Sequence, residues 1–446
     1  MSIWTRAGAL AAQTPASRNR YVDFLRAASI LVVVFGHWLA AAPWRRPDGE
    51  LVATHLLAVA DWTHWLTWAI QVMPVFFIVG GFSNGITWRA AQRAQTGYAA
   101  WLAGRLRRLV WPVLPLLVVW AGMGVAASVA GVREPLVRVG SQLALVPVWF
   151  LAVYLGVVLL VPISHALWER HRWGSFAGCV VVAIGLDFAF FRGVPVVGWL
   201  NYVFVWSAVH QLGYAWSEGA LSRPSRWLPM GLVGLALLIG LTSIDLAPYP
   251  RAMVGVPGEA ISNTTPPKIT LIALALAQAG LLLGLEGPVR RWLARPAPWT
   301  ATVLVNSMIM TVYLWHMTAL ILWVGFVYSV GEGWESGVGL ALEPGTAAWW
   351  RGRPLWLGVL ALLLLPLVLA LQRFERPDPA VGTPPLWRLF GGAIFFVVGL
   401  ALLAKDGISG GGAFGLRIGV LALPMAGALL IGIGARGAGR TPAGAR

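Results

Sequence analysis

The chain has 446 residues, of which 58% are hydrophobic and only 11% charged, with a mean hydropathy of +0.73. A soluble domain carries about a quarter charged residues, so these proportions exclude a soluble class and describe a polytopic membrane protein. The net charge of +16 reads as topology signalling rather than a nucleic-acid surface, and the lone Cys179 excludes an intramolecular disulfide or a cysteine metal cluster.

Residues 1–20 have no adequate apolar core before Arg18 and Arg20. They read as a cytoplasmic segment, not a cleaved signal peptide, with the first span serving as an uncleaved insertion signal. Apolar stretches long enough to cross a bilayer follow at 22–42, 65–87, 109–130, 144–163, 174–191, 195–216, 227–245, 269–286, 301–328, 354–372, 386–404 and 413–434. The expectation is an all-α polytopic membrane protein with about twelve transmembrane helices. A core spans 21–375, two additional helices occupy 376–434, and 435–446 forms a cytoplasmic tail.

Loop charge sets the orientation. With a cytoplasmic N-terminus, that side collects Arg89, Arg93, Arg105, Arg107, Arg108, Arg170, Arg172, Arg290, Arg291 and Arg295 among others. The opposite side has Arg45, Arg46, Arg133, Arg138, Arg192 and Arg251 as its main contribution. The bias is roughly two to one, which places both termini on the cytoplasmic side of the cell membrane. Trp44, Trp111, Trp227, Trp299 and Trp387 fall near segment ends, where amphipathic rings favour the interface. Longer outer loops occur at 43–64, 245–268 and 329–353, and Asn263-Thr-Thr matches a glycosylation acceptor.

Ionisable groups are costly in hydrocarbon, which singles out the first span, Asn19-RYVDFLRAASILVVVFGHWLA. It contains Asp23, Arg26 and His37. Arg26 and His37 are eleven residues apart. At about 100° and 1.5 Å per residue they share one helix face, about 16 Å apart along it. Asp23 and Arg26 also have a plain explanation, as a snorkelling or mutually paired couple at the membrane surface. His37 lies deeper and can serve either as a hydrogen-bonding helix contact or as a general base. In Met73-PVFFIVGGFSNG, Gly80 and Gly81 allow close backbone approach to a helix or a ligand, while Ser83 and Asn84 add polar groups. Arg105 and Arg108, three apart, read as positive-inside charge or as a phosphate contact. Asn306, Ser307, Tyr313 and His316 share the ninth span, with His316 divided between packing and function. Asp187, and His210 with Gln211, read as structural. His55, His64, His165 and His171 fall in or near loops, and no spacing indicates a metal site.

Five of these stretches, in order, resemble the membrane acyltransferase 3 family. Arg20-YVDFLRAASILVVVFGHW resembles its opening helix, with an arginine, ten residues, then a histidine; here these are Arg26 and His37. Pro74-VFFIVGGF is similar to its FF-x-x-SGF stretch, with Gly80 where serine is common. Arg105-LRR resembles its Arg-x-x-Arg motif, and Pro147-VWFLAVYL and Tyr313-LWH its WFL and YLWH stretches. The likeness covers about 18–375, usually ten helices in the family, and leaves the two C-terminal spans outside.

The resemblance implies an O-acyltransferase that moves an acetyl or other short acyl group from acyl-CoA to a hydroxyl of a carbohydrate, glycolipid or secondary metabolite. It implies His37 as catalytic residue, assisted by Arg26 and Asp23, with Arg26, Arg105 and Arg108 holding the donor. Asn84, Tyr313 and His316 are candidates for substrate binding. No permanently bound cofactor is expected; acyl-CoA, a glycan or glycolipid acceptor and membrane lipid are the partners, and nucleic acid is not. Direct transfer with His37 as base and a transient acyl-histidine both fit these residues. The alternative from another class is a secondary transporter or glycolipid flippase, since buried His, Arg and Asp also form proton relays.

Overall fold

The computed structural model describes residues 2–15, 17–46, 48–243, 248–330, 340–375, 377, 382–410 and 412–434. The tail expected at 435–446 and part of the outer loops at 245–268 and 329–353 lie outside the described residues. Of the described residues, 77% are helical, as expected.

The helices in order are α1 (Ile3–Ala12), α2 (Arg20–Ala40), α3 (Leu56–Val59), α4 (Thr67–Ile70), α5 (Met73–Arg93), α6 (Gly97–Val110), α7 (Val113–Val129), α8 (Glu134–Leu145), α9 (Val148–Leu159), α10 (Val161–His171) and α11 (Trp173–Phe191). They continue with α12 (Asn201–Ser217), α13 (Pro224–Ser243), α14 (Ile269–Leu293), α15 (Pro296–Ser307), α16 (Ile309–Val330), α17 (Ala347–Leu371), α18 (Leu386–Asp406) and α19 (Ile418–Leu430). Each of the twelve expected apolar stretches contains helix. Among the described residues, nine helical stretches are long and apolar enough to cross a membrane. The pair α8 and α9, bent by 45°, makes a tenth if it is one span. The 195–216 stretch forms a 3-10 segment, Pro195–Leu200, followed by the 17-residue α12, and the α-helix in 413–434 is the 13-residue α19. The 301–328 stretch breaks at Met308, the C-cap of α15, so Asn306 and Tyr313 stand on different helices.

The chain divides into two units. The first comprises 1–87, 161–309 and 322–365; the second comprises 88–160, 310–321 and 366–446. In the first unit, α13 and α14 cross where Gly231 faces Gly280; a Cβ built on Gly280 would come 2.5 Å from the Gly231 Cα. Small residues let helix backbones meet in this way inside a membrane, where packing replaces the hydrophobic drive. In the second unit, α18 packs on α19 through Gly392 and Gly427 by the same device.

The helix α2 begins at Asn19, whose side-chain oxygen accepts from the N–H groups of Tyr21 and Val22 at 3.1 and 3.2 Å. Asp23 in its first turn suits the positive end of the helix dipole. Its 21 residues span about 31 Å, the thickness of a hydrocarbon core. The chain then leaves the helix at Ala41 and forms the one hairpin among the described residues. Strand β1 (Ala41–Arg45) pairs antiparallel with β2 (Leu51–His55) in a stretch expected to be loop. Its register sets Ala41 opposite His55, returning the chain to the end of α2. Asn263 is fully buried, its amide nitrogen donating to Pro250 and Ala252 carbonyls, so the acceptor motif there is closed to glycan attachment.

Candidate functional site

The helix α2 carries both ends of the site in the first unit. At its start, Asp23 is buried and paired with Arg18 at 2.5 Å and with Arg26 at 3.4 Å. Arg18 is a partner that sequence spacing did not suggest, because it precedes the helix. The guanidinium of Arg26 also donates to the Ser83 hydroxyl on α5, and Ser83 donates onward to the Val79 carbonyl at 2.8 Å. From α15, the Asn306 amide donates to the Asp23 carbonyl at 2.9 Å. The arginine is thus held by two neighbours while about a third of its side chain stays exposed. That arrangement leaves a directed cation at the helix start, able to pair an anionic ligand.

Eleven residues on, His37 stands in the last turn of α2, its carbonyl accepting from the Ala41 N–H. His55, set opposite Ala41 by the hairpin register, is within electrostatic reach of His37. The His55 Nδ1 accepts from the Leu57 N–H at 3.3 Å, which places its ring proton on Nε2. Next along, the buried His64 donates from Nε2 to the Leu57 carbonyl at 2.8 Å. Both histidines were expected in loops. Only the hairpin register brings one of them beside His37, and nothing in the spacing of His37 and His55 signals it.

Burial pushes the His55 imidazole below the ordinary histidine range. The folded chain therefore favours the neutral ring, whereas the unfolded chain protonates it around pH 6.5. Stability from this group is present above that pH and lost as pH falls. The melting temperature of the purified protein is expected to drop on acidification below about 6.5. His55→Asn, a good N-cap that does not titrate, is expected to flatten that limb in thermal scans across the range.

Asn84 is buried and its amide meets the His210 Nε2 of α12 at 3.2 Å. His210 also stacks edge-on against Tyr214, which supports the packing role expected for it. Asp187 is likewise enclosed, accepting from Asn201, Tyr249 and the Ile269 N–H, with Lys268 3.9 Å away.

The remaining candidates belong to the second unit. The stretch around Arg105 is helical, in α6, rather than a loop. Its three arginines differ. Arg107 is buried and donates to the carbonyls of Ile431 and Gly382, which is a structural task. Arg105 lies over the Trp101 ring at 5.6 Å. Arg108 is within electrostatic reach of Glu375. The Glu375 carboxylate accepts from the Met310 and Thr311 N–H groups at 2.8 and 3.0 Å, and so caps the start of α16. On that helix the Tyr313 hydroxyl donates to the Pro147 carbonyl at 2.5 Å, and the His316 Nδ1 donates to the Tyr313 carbonyl at 2.7 Å. Both side chains are buried.

No curated protein and no solved structure matches the chain. A family model described as an acyltransferase domain matches residues 19–342. That span opens on the N-cap of α2, contains every site residue expected from the sequence, and covers well over half of the sequence. A multi-pass helical chain with this match is a member of the acyltransferase 3 family, a membrane acyltransferase.

Proposed function

We propose that this acyltransferase takes an acetyl or other short acyl group from acyl-CoA and transfers it to a hydroxyl of a carbohydrate, glycolipid or secondary metabolite. The reading places it in the cell membrane with cytoplasmic termini. One observation carries it: Arg26 and His37 occupy one unbroken helix, with the arginine anchored by Asp23 and Ser83 at its start and the histidine in its last turn. Their offset of about 16 Å suits a donor with an anionic head and a long thioester arm.

In this mechanism a ring nitrogen of His37 takes the proton of the acceptor hydroxyl as its oxygen attacks the thioester carbonyl. The carbon–sulfur bond breaks, and the departing thiolate takes the proton from the imidazolium. Arg26 binds the donor through charge-assisted hydrogen bonds, and Asp23 fixes the direction of its guanidinium. Arg105 and Arg108 are proposed as phosphate contacts on their motif alone.

The test uses the full chain in lipid nanodiscs with radiolabelled acetyl-CoA and a panel of glycoside and polyol acceptors. Donor-dependent labelling of an acceptor is expected. A folded sample that binds no acyl-CoA defeats the reading. Arg26→Lys keeps the charge but loses the planar fork. It is expected to raise the KM for acyl-CoA about tenfold with a smaller change in kcat, measured by steady-state kinetics.

A further inference from the structure

The end of α2 that carries His37 is closed by residues beyond the family match. A helix terminus leaves carbonyls without intrahelical partners, and where the chain is buried, as at Trp38 and Ala42, water does not supply them. Here the Trp38 carbonyl accepts from the Trp356 indole N–H at 3.0 Å, and the Ala41 carbonyl accepts from Arg353 Nη1 at 3.4 Å. Both donors belong to α17.

Arg353 is 3% exposed and, among the described residues, makes no ion pair. Among the same residues its Nε has no hydrogen-bond partner. A buried cation is costly to hold away from water, so its retention calls for compensation from its neighbours. The negative end of the α2 dipole supplies one part. The rings of Trp349 and Trp356, with centroids 3.8 and 4.8 Å from the guanidinium carbon, supply another. Trp349 is itself fixed, packed against Ala42, Leu56 and Ala60.

Ala41 is the node of this arrangement. Its N–H closes the last helical bond on the His37 carbonyl, its carbonyl takes Arg353, and the hairpin sets it opposite His55. His37 therefore sits one helical turn from the point where Arg353 grips the chain.

We propose that Arg353, together with Trp356, is a positioning residue for His37. It locks the final turn of α2 and so fixes the depth and direction of the imidazole. The link to catalysis rests on the acyl-transfer role given to His37; the mechanical link does not. Arginine suits this task because its guanidinium lies over two indoles while one of its N–H groups donates to the carbonyl, a combination that an ammonium does not reproduce.

The test compares wild type, Arg353→Gln, Arg353→Lys and Trp356→Phe, all as full-length protein in nanodiscs. The first readout is the rate at which diethyl pyrocarbonate modifies His37, followed by mass spectrometry with exposed His171 as internal reference. Arg353→Gln is expected to speed His37 modification several-fold and leave His171 unchanged. The second readout is kinetic. A misplacement of about 1 Å costs about a hundredfold, so kcat is expected to fall about tenfold to a hundredfold with donor KM within about twofold. Arg353→Lys is expected to recover only part of either loss. Trp356→Phe removes one N–H and keeps the ring, and carries the test if Arg353→Gln does not fold. Unchanged His37 modification in the folded variants overturns the proposal. So does a kinetic loss that only tracks the fraction of folded protein. Absence of acyl transfer in wild type counts against the acyl-CoA reading alone, and the modification rates still decide on Arg353.

Discussion

Replacement of His37 by alanine is expected to lower acyl transfer by about a hundredfold to ten-thousandfold, the usual contribution of a general base. Acyl-CoA binding is expected to stay within about twofold, because the anionic head is assigned to Arg26 and not to the imidazole. The split between these two quantities is the informative part. His37 stands in the last turn of α2, eleven residues beyond Arg26, so its substitution is remote from Asp23, Arg18 and Ser83 around that guanidinium. A loss of donor binding equal to the loss of transfer would mean that the substitution had disturbed the helix. His37→Gln, which keeps much of the side-chain volume without a titratable ring, separates those cases. Transfer is measured by acceptor labelling and binding by equilibrium dialysis. Donor-dependent transfer at wild-type rates in either variant removes His37 from the mechanism.

The membrane class, the helical architecture and the family were legible because they rest on local signals. An apolar run long enough to span a bilayer is a property of contiguous residues, and so is the Arg26–His37 spacing. What surrounds those residues was not legible. Arg353 and His55 reach the end of α2 through contacts far apart in sequence, and no helical periodicity connects them. The three arginines of α6 were indistinguishable by composition, yet Arg107 donates to the Ile431 and Gly382 carbonyls, Arg105 lies over the Trp101 ring and Arg108 is within electrostatic reach of Glu375. The break at Met308 was hidden because Asn306 and Ser307 are uncharged residues within an otherwise apolar run, and no Gly, Pro or charge marks the position. Gly80 and Gly81 were read as permitting close approach, to a helix or to a ligand. The structure supplies the occupant at Gly81, the backbone of α12.

That contact carries the largest expected effect on stability. A Cβ built on Gly81 would lie 1.9 Å from the His210 carbonyl oxygen, and one on Gly213 would lie 2.1 Å from the Ile78 oxygen and 2.4 Å from the Phe82 nitrogen. The two helices therefore meet backbone against backbone, and the atoms in the way are not side-chain ends that rotate aside. Overpacking a core usually costs about 1–3 kcal/mol through side-chain adjustment. Here whole helices must move apart, so Gly81→Val is expected to exceed about 4 kcal/mol, in the rare tail of single substitutions. The expected result is little or no monodisperse protein in fluorescence-detected size exclusion after expression, with Gly81→Ala intermediate. Gly122 is the control. It lies in α7 with nothing within 4 Å of a built Cβ, so Gly122→Ala is expected to be neutral or stabilising by up to about 1 kcal/mol. If Gly81→Ala behaves like Gly122→Ala, the helices do not approach as closely as described. The consequence reaches the site, because Ser83 follows Gly81 by two residues on α5 and holds the Arg26 guanidinium. Any Gly81 variant that folds with its helices spread is expected to weaken acyl-CoA binding before it affects the chemical step.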